Sequence, residues 1–244
     1  MAEKSKYTKR PDGRKFEELR KMTAKVGVVK EADGSAMFSF GEGKEATTAF
    51  AAVYGPRTLH PQHMQNPRTG ILRVNYDMLS FSVNERARPG PNKRSKEISE
   101  VSKWALGNVL ELKDFPNTVI DVFISITQAN ASTRCAGINA ASMALAHAGV
   151  PMKELVGSVS IGKMDRTLVV DVNKKEEDYE EGEGPTDIAM AFTSRGQNVS
   201  LMQLDGKIRP KELKEAVEMG QKAAMEIIKV QTKALKDVRG DVKK

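Results

Sequence analysis

Gln128-Ala-Asn-Ala-Ser-Thr-Arg-Cys-Ala-Gly-Ile-Asn-Ala-Ala-Ser142 is the stretch on which the reading of this 244-residue chain turns. It follows a strand-like apolar run, Val119 to Ile126, and passes through a short polar turn into an Ala-rich amphipathic run, Cys135 to Ala148. A strand, a tight turn of small residues and a helix start together present several unsatisfied backbone N–H groups to an anion. Thr133 adds a hydroxyl and Arg134 a planar guanidinium fork, both suited to phosphate oxygens. Many βα turns share this pattern and bind nothing, so phosphate binding is here an expectation for the geometry to meet.

Upstream of this stretch the pattern predicts strands over Ala24–Lys30, Ser35–Phe40, Glu45–Tyr54 and Ile71–Ser80, with Asp33-Gly34 and Gly41-Glu-Gly43 as hairpin punctuation. Pro56–Gly70 and Glu85–Lys96 read as loops. Ile98, Val101, Ala105 and Val109 then fall at helical spacing within a helix over Ser95–Leu112, and Thr118–Gln128 is the strand that enters the turn. Downstream, Gly149 and Pro151 close the helix. Strands follow over Val156–Gly162, Arg166–Val172, Ile188–Thr193 and Val199–Gln203, with an acidic insert at Asn173–Asp187, and a last helix covers Pro210–Leu235. The order ββββ-α-β-α-ββββ-α predicts an α+β fold with mixed sheets and packed helices, whose two β-rich halves could be a duplicated pair. Residues 10–238 are expected to form one domain between a flexible basic tail, 1–9, and a second flexible tail, 239–244.

Composition narrows the function. The net charge is +7, from 39 Lys+Arg against 32 Asp+Glu, which favours a polyanionic partner such as nucleic acid. Aromatic residues make up only 5%, so the backbone of a nucleic acid rather than its bases would be gripped. No apolar run reaches membrane-span length and no signal peptide is evident, so a cytoplasmic protein without a membrane partner is expected. Cys135 is the single cysteine; it fits a reducing compartment and reads as a small buried residue rather than a nucleophile.

Three places could carry chemistry. Thr133-Arg134 is the first. Lys93-Arg94 is the second, at the start of the preceding helix, whose N-terminal amides could converge on the same anion; the plain alternative is a solvated basic loop. The third is the acidic insert, with Glu176, Glu177, Asp178, Glu180, Glu181, Glu183 and Asp187. Carboxylates beside a phosphate site can hold Mg²⁺ and one could protonate a leaving oxygen, but from the residues alone a solvated acidic loop is the simpler reading. His60-Pro-Gln-His63 lacks a third ligand for zinc, and His147 suits a structural place near a helix C-terminus. No nucleophile elbow, P-loop or dinucleotide fingerprint is present.

These residues also carry a resemblance. Arg10-Pro-Asp-Gly-Arg14, Ala52-Val-Tyr-Gly-Pro-Arg57, His60-Pro-Gln-His63, Ile71-Leu-Arg-Val74, Phe81-Ser-Val83, Arg88-Pro-Gly-Pro91, Phe115-Pro116, Ile120-Asp-Val-Phe123, Ala148-Gly-Val-Pro-Met152 and Leu204-Asp-Gly206 resemble the RNase PH family, and within it the archaeal exosome branch. The resemblance implies an RNase PH-like fold and a phosphate-dependent 3′→5′ exoribonuclease that releases nucleoside diphosphates from single-stranded RNA and, in reverse, adds tails. It implies inorganic phosphate as co-substrate and Mg²⁺ or Mn²⁺ as cofactor. It also implies a hexameric ring with a homologous RNase-PH-like partner subunit, carrying RNA-binding cap subunits.

By the same resemblance, Arg94, Thr133 and Arg134 bind phosphate with help from Lys93, while Arg57, Arg68 and Arg86 hold RNA. Asp178 and Asp187 are the best matches for the catalytic, metal-holding aspartates, with Glu177 and Glu183 as rivals. Asn130 replaces an acid of the family pattern, Ser132 a glycine and His147 an aspartate. These departures keep two further readings open: a non-catalytic RNA-binding ring subunit, and a homohexameric enzyme trimming tRNA 3′ ends.

Overall fold

The computed structural model describes residues 5–241. Strand β5 (Thr118–Gln128) is flanked on both sides, antiparallel to β3 (Thr47–Thr58) and parallel to β4 (Ile71–Met78). Because one face of the strand is covered, its side chains alternate: Ile120, Val122, Ile124 and Ile126 are buried, whereas Phe123 on the other face is exposed. With β1 (Met22–Val26) and β2 (Gly34–Phe40) it completes a five-stranded sheet of order β1-β2-β3-β5-β4. The second sheet, β6 (Val156–Met164), β7 (Thr167–Val170), β8 (Pro185–Thr193) and β9 (Val199–Asp205), is antiparallel in the order β7-β6-β8-β9.

Helix α2 (Thr133–His147) lies between the sheets and is buried without a break from Cys135 to Leu145. It is therefore covered on every side rather than amphipathic, as its sequence suggested. Its polar residues spend their groups on β6: Asn139 exchanges hydrogen bonds with the Ser158 backbone (2.7 and 2.8 Å), and Ser142 accepts from the Val156 N–H (2.9 Å). One hydrophobic core therefore runs through α2 and joins both sheets. Helix α1 (Lys93–Gly107) covers β4, and α4 (Pro210–Asp241) covers β6.

The close seating of α2 depends on glycine. A Cβ on Gly137 would stand 2.9 Å from the Ile124 methyl, and one on Gly34 would collide with the backbone at Ala144 and Ala148. Backbone cannot swing aside as a flexible side chain can, so Gly34→Ala is expected to destabilise the protein by about 3 kcal/mol through overpacking. Urea unfolding would measure this, and a midpoint equal to wild type would show that α2 can shift freely.

Several elements differ from their sequence reading. β1 stops at Val26 because Gly27 turns away at a φ of +72°. β3 runs on to Thr58, past the expected end at Tyr54. A short helix, α3 (Lys174–Glu177), forms in the acidic insert, and β8 starts at Pro185, which puts Asp187 in a strand rather than a loop. Tyr7, expected in a flexible tail, is buried; its hydroxyl donates to Glu176 (2.7 Å). At the other end, α4 continues into the expected second tail as far as Asp241, while residues 1–4 and 242–244 lie outside the described residues.

Candidate active site

The turn between β5 and α2 places Ala131 and Ser132 at positive φ, +56° and +53°. Glycine would adopt this without cost, whereas here hydrogen bonds hold the left-handed backbone in place. Ser132 donates to the Val172 carbonyl (2.8 Å) and lies 2.7 Å from the Ser160 hydroxyl. Thr47 donates to the carbonyls of Asn130 and Ala131 (2.9 and 2.8 Å) and accepts from the Asn130 N–H (2.9 Å). Arg20 grips the Asn130 carbonyl (2.9 Å) while pairing with buried Asp171 (2.7 Å). Burial by itself would raise the Asp171 pKa, but Arg20 and Arg14 beside it hold the carboxyl below its ordinary value.

No side chain caps α2, so its first N–H groups remain open to an anion. α1 differs. Asn92 and Ser95 form a capping box in which the Asn92 side chain accepts from the Ser95 N–H (2.7 Å). The amide of Ser95 is thus already engaged, and α1 contributes the Arg94 side chain to the site.

Arg94, Thr133, Arg134, Glu177, Asp178 and Asp187 line one cavity of about 560 Å³. A second recess of about 490 Å³ shares Arg94, Arg134, Glu177 and Asp187 with it and extends to Glu97, Gln203 and Asp205. Two buried polar atoms at the junction lack partners, Nε of Arg134 and Oδ1 of Asp187. An unpaired donor on a cation fits an anionic ligand, and an unpaired carboxylate oxygen fits a proton or a cation.

Burial pushes the Asp187 carboxyl up to about 6, and the negative charge of Glu177 adds to the rise; Arg134 and Arg94 pull the other way. Asp205 sits directly opposite Asp187 in the β8–β9 ladder. Among the described residues no group of three or more His, Cys, Asp or Glu side chains converges on one point. Mg²⁺ binds through one or two carboxylates completed by water and substrate phosphates, so the acidic wall still fits it.

Of the residues expected from sequence, Arg94, Thr133, Arg134, Asp178 and Asp187 are brought together. Lys93 is exposed on α1 and does not line the cavity. Arg57 lies over the Tyr54 ring (5.2 Å) and 3.7 Å from Asp121, which also pairs with Arg73. Arg68 and Arg86 are exposed in loops, and none of these three arginines lines either recess. Glu183 is occupied elsewhere: it pairs with Lys163 (2.8 Å), Arg209 and Arg166, and Lys163 holds its carboxyl below the usual range. Asp178 is exposed and paired with Lys174 (2.7 Å); Glu177 is half-buried, reaches the same Lys174 (3.3 Å), and its charge acts on Asp187.

Sequence reading missed Glu97, Lys174, Gln203 and Asp205. The Leu204-Asp-Gly206 motif was visible, and pairing β8 with β9 in register would have set Asp205 beside Asp187. Elsewhere, Cys135 is fully buried and its thiol is pushed up to about 12, in keeping with a packing role. His147 accepts from the Ser35 N–H (3.1 Å), which is also structural. No helix among the described residues is long and apolar enough to cross a membrane.

Comparison with known proteins follows the same outline. The 3′ exoribonuclease family, domain 1, matches residues 18–151, and its domain 2 matches residues 154–223. The chain is 48% identical over 229 residues to the exosome complex component Rrp41 of Thermococcus gammatolerans, covering 94% of this chain and 89% of that one. It is 44% identical over 231 residues to Rrp41 of Methanopyrus kandleri, covering 95% and 93%. The crystal structure of rice (Oryza sativa) Rrp46 superposes with a TM-score of 0.79 at 24% identity, covering 93% of this chain and all of that one, a likeness of fold.

Proposed function

The chain belongs to the RNase PH family of 3′ exoribonucleases, and on that premise we propose that it is a phosphorolytic exoribonuclease acting in an exosome-type ring. The observation that carries this reading is the convergence of Arg94, Arg134 and the open α2 N-terminus on the same cavity as Asp187. Two arginines and free amides beside a carboxyl of raised pKa suit an anionic nucleophile meeting an anionic phosphodiester.

In this reading inorganic phosphate sits at Thr133, Arg134 and Arg94. One of its oxygens attacks the terminal phosphorus of single-stranded RNA, the P–O3′ bond breaks, and a nucleoside diphosphate leaves. The departing 3′ oxygen takes a proton, for which Asp187 is our candidate donor, because burial pushes its carboxyl up to about 6 and a fraction stays protonated near neutral pH. Asp178 and Glu177 are the residues that would hold Mg²⁺ or Mn²⁺ together with phosphate oxygens, since an Asp187 that carries the proton does not also ligate the ion, and the ion would neutralise charge during transfer. Arg57, Arg68 and Arg86 would contact RNA backbone outside the cavity.

The named relatives are exosome components, which supports a ring with a homologous RNase-PH-like partner and RNA-binding cap subunits. Against a purely scaffolding role speaks the gathering of Arg94, Thr133, Arg134 and Asp187 in one cavity, for which a scaffold has no use. The deciding experiment mixes the chain and its partner with Mg²⁺ and 5′-labelled RNA, with and without phosphate. Phosphate-dependent shortening with nucleoside diphosphate release is expected. An assembled ring that binds RNA but never shortens it would establish the scaffold instead.

A further inference from the structure

Arg10-Pro-Asp-Gly-Arg14 reads as a turn, and within it Arg10 is 1% exposed and Glu176, its partner, is 0% exposed. Glu176 belongs to Lys174-Lys-Glu-Glu-Asp178, five successive charged residues, and is the only one of them that is buried. Its carboxylate is saturated. Oε1 accepts from Arg10 Nε (2.7 Å) and the Tyr7 hydroxyl (2.7 Å), and Oε2 accepts from Arg10 Nη2 (2.8 Å) and the Asn173 N–H (3.0 Å). Arg10 is saturated as well, donating onward to the carbonyls of Val170 (2.8 Å) and Asp171 (2.9 Å).

This arrangement is more than stability requires, since a buried ion pair is often matched by an apolar packing of the same volume. What it supplies is position. Helix α3 has four residues, too few to persist alone in water. With Glu176 drawn inward, the next two carboxylates, Glu177 and Asp178, line the cavity. At the other end of α3 the Lys174 N–H donates to Asn130 Oδ1 (2.8 Å), and Asn130 sits in the turn that opens α2. A continuous set of hydrogen bonds therefore runs from Tyr7 and Arg10 through Glu176 and α3 to the anion-binding turn.

We propose that Tyr7, Arg10 and Glu176 form a positioning device that holds the carboxylates of α3 in register with the α2 N-terminus during phosphorolysis, an inference that rests on the function proposed above. None of the three is a catalytic residue, because none lines the cavity. The Arg-Pro-Asp-Gly-Arg segment thereby gains a task that its sequence as a turn does not disclose.

Tyr7→Phe removes one donor at little structural cost, and Arg10→Lys keeps the charge but loses the fork. In the assembled ring, kcat is expected to fall about fivefold for Tyr7→Phe. For Arg10→Lys a fall of about 10²-fold is expected, as for a small misplacement at a reacting centre. KM for RNA should stay within about twofold in both, because the device aligns groups and does not grip the strand.

Hydrogen exchange on the same proteins should quicken at residues 173–178 and 130–135 and remain as in wild type through α4 and β6. Unchanged exchange in those two segments, or a rise spread through the whole protein with kcat tracking the folded fraction, would overturn the proposal. A wild-type ring that never shortens RNA would sink the proposed function, whereas the exchange pattern would still decide whether Tyr7 and Arg10 hold the two segments together.

Discussion

Arg134→Ala is expected to abolish phosphate-dependent RNA shortening while the protein still folds and assembles. Arg134 lines both recesses, and its Nε is buried with no partner in the protein, which suits the phosphate-binding role proposed above. It also lies beside the open amides of α2. Removing such a preorganised donor from a transferring phosphoryl group costs on the order of 10²–10³ in rate. The core does not use this head group, so size-exclusion profiles and melting temperature should match wild type. Arg134→Lys should recover only part of the loss, because an ammonium offers a point charge where the fork offers two parallel N–H bonds. Single-turnover assays at saturating RNA and varied phosphate would read both effects. An alanine variant of wild-type rate would remove Arg134 from the phosphate site.

Asp187→Asn is expected to produce an enzyme that is nearly inactive yet more stable. On the role proposed for Asp187 as proton donor, the activity loss is on the order of 10²–10⁴. The stability gain follows from linkage. A carboxyl raised to about 6 in the folded protein, against 3.8 ordinarily, is disfavoured as an anion by burial and by Glu177. Its contribution is therefore most favourable below the unfolded value and is lost as pH rises through about 6. Asparagine cannot ionise, so above pH 7 the variant should gain about 2 kcal/mol, allowing for the partly open cavity side, at 1.36 kcal/mol per pH unit. The gain should shrink to nothing near pH 4. Urea unfolding at the two pH values would measure it. Equal stability at both would mean that Asp187 is not strained by burial, and full activity would move the proton donor to another group.

The departures from the family pattern have a physical account in this fold. Asn130 takes the place of an acid but uses its Oδ1 as an acceptor for the Lys174 N–H, a task that needs an oxygen and no charge. Ser132 takes the place of a glycine at positive φ, and its hydroxyl secures the turn against Ser160 and Val172. Neither substitution puts a side-chain cap on the N-terminus of α2.

How much of this was legible beforehand follows from the range of each interaction. The strand, turn and helix around Gln128–Ser142 were readable because periodicity and small residues act over a few positions, and with them came Thr133, Arg134 and the α+β order. Arg94 could be nominated for the same local reason. Lys93 could not be separated from Arg94, since which of two adjacent side chains enters the cavity depends on how α1 docks against β4. Arg10 opens the turn that its sequence announces, but its buried pairing with Glu176, 166 positions away, was not legible.

The sequence by itself determined the order of the longer elements, the basic balance of the chain and the strand, turn and helix at Gln128–Ser142, all consequences of neighbours along the chain. Only the tertiary structure decided among the carboxylates. It sent Glu176 into the core, engaged Glu183 with Lys163 and set Asp187 in β8 opposite Asp205, under the field of Glu177. Seven acidic side chains of the 173–187 insert are nearly alike in solution, and differences of burial and charge, which exist only once distant segments pack together, make one of them chemically distinct.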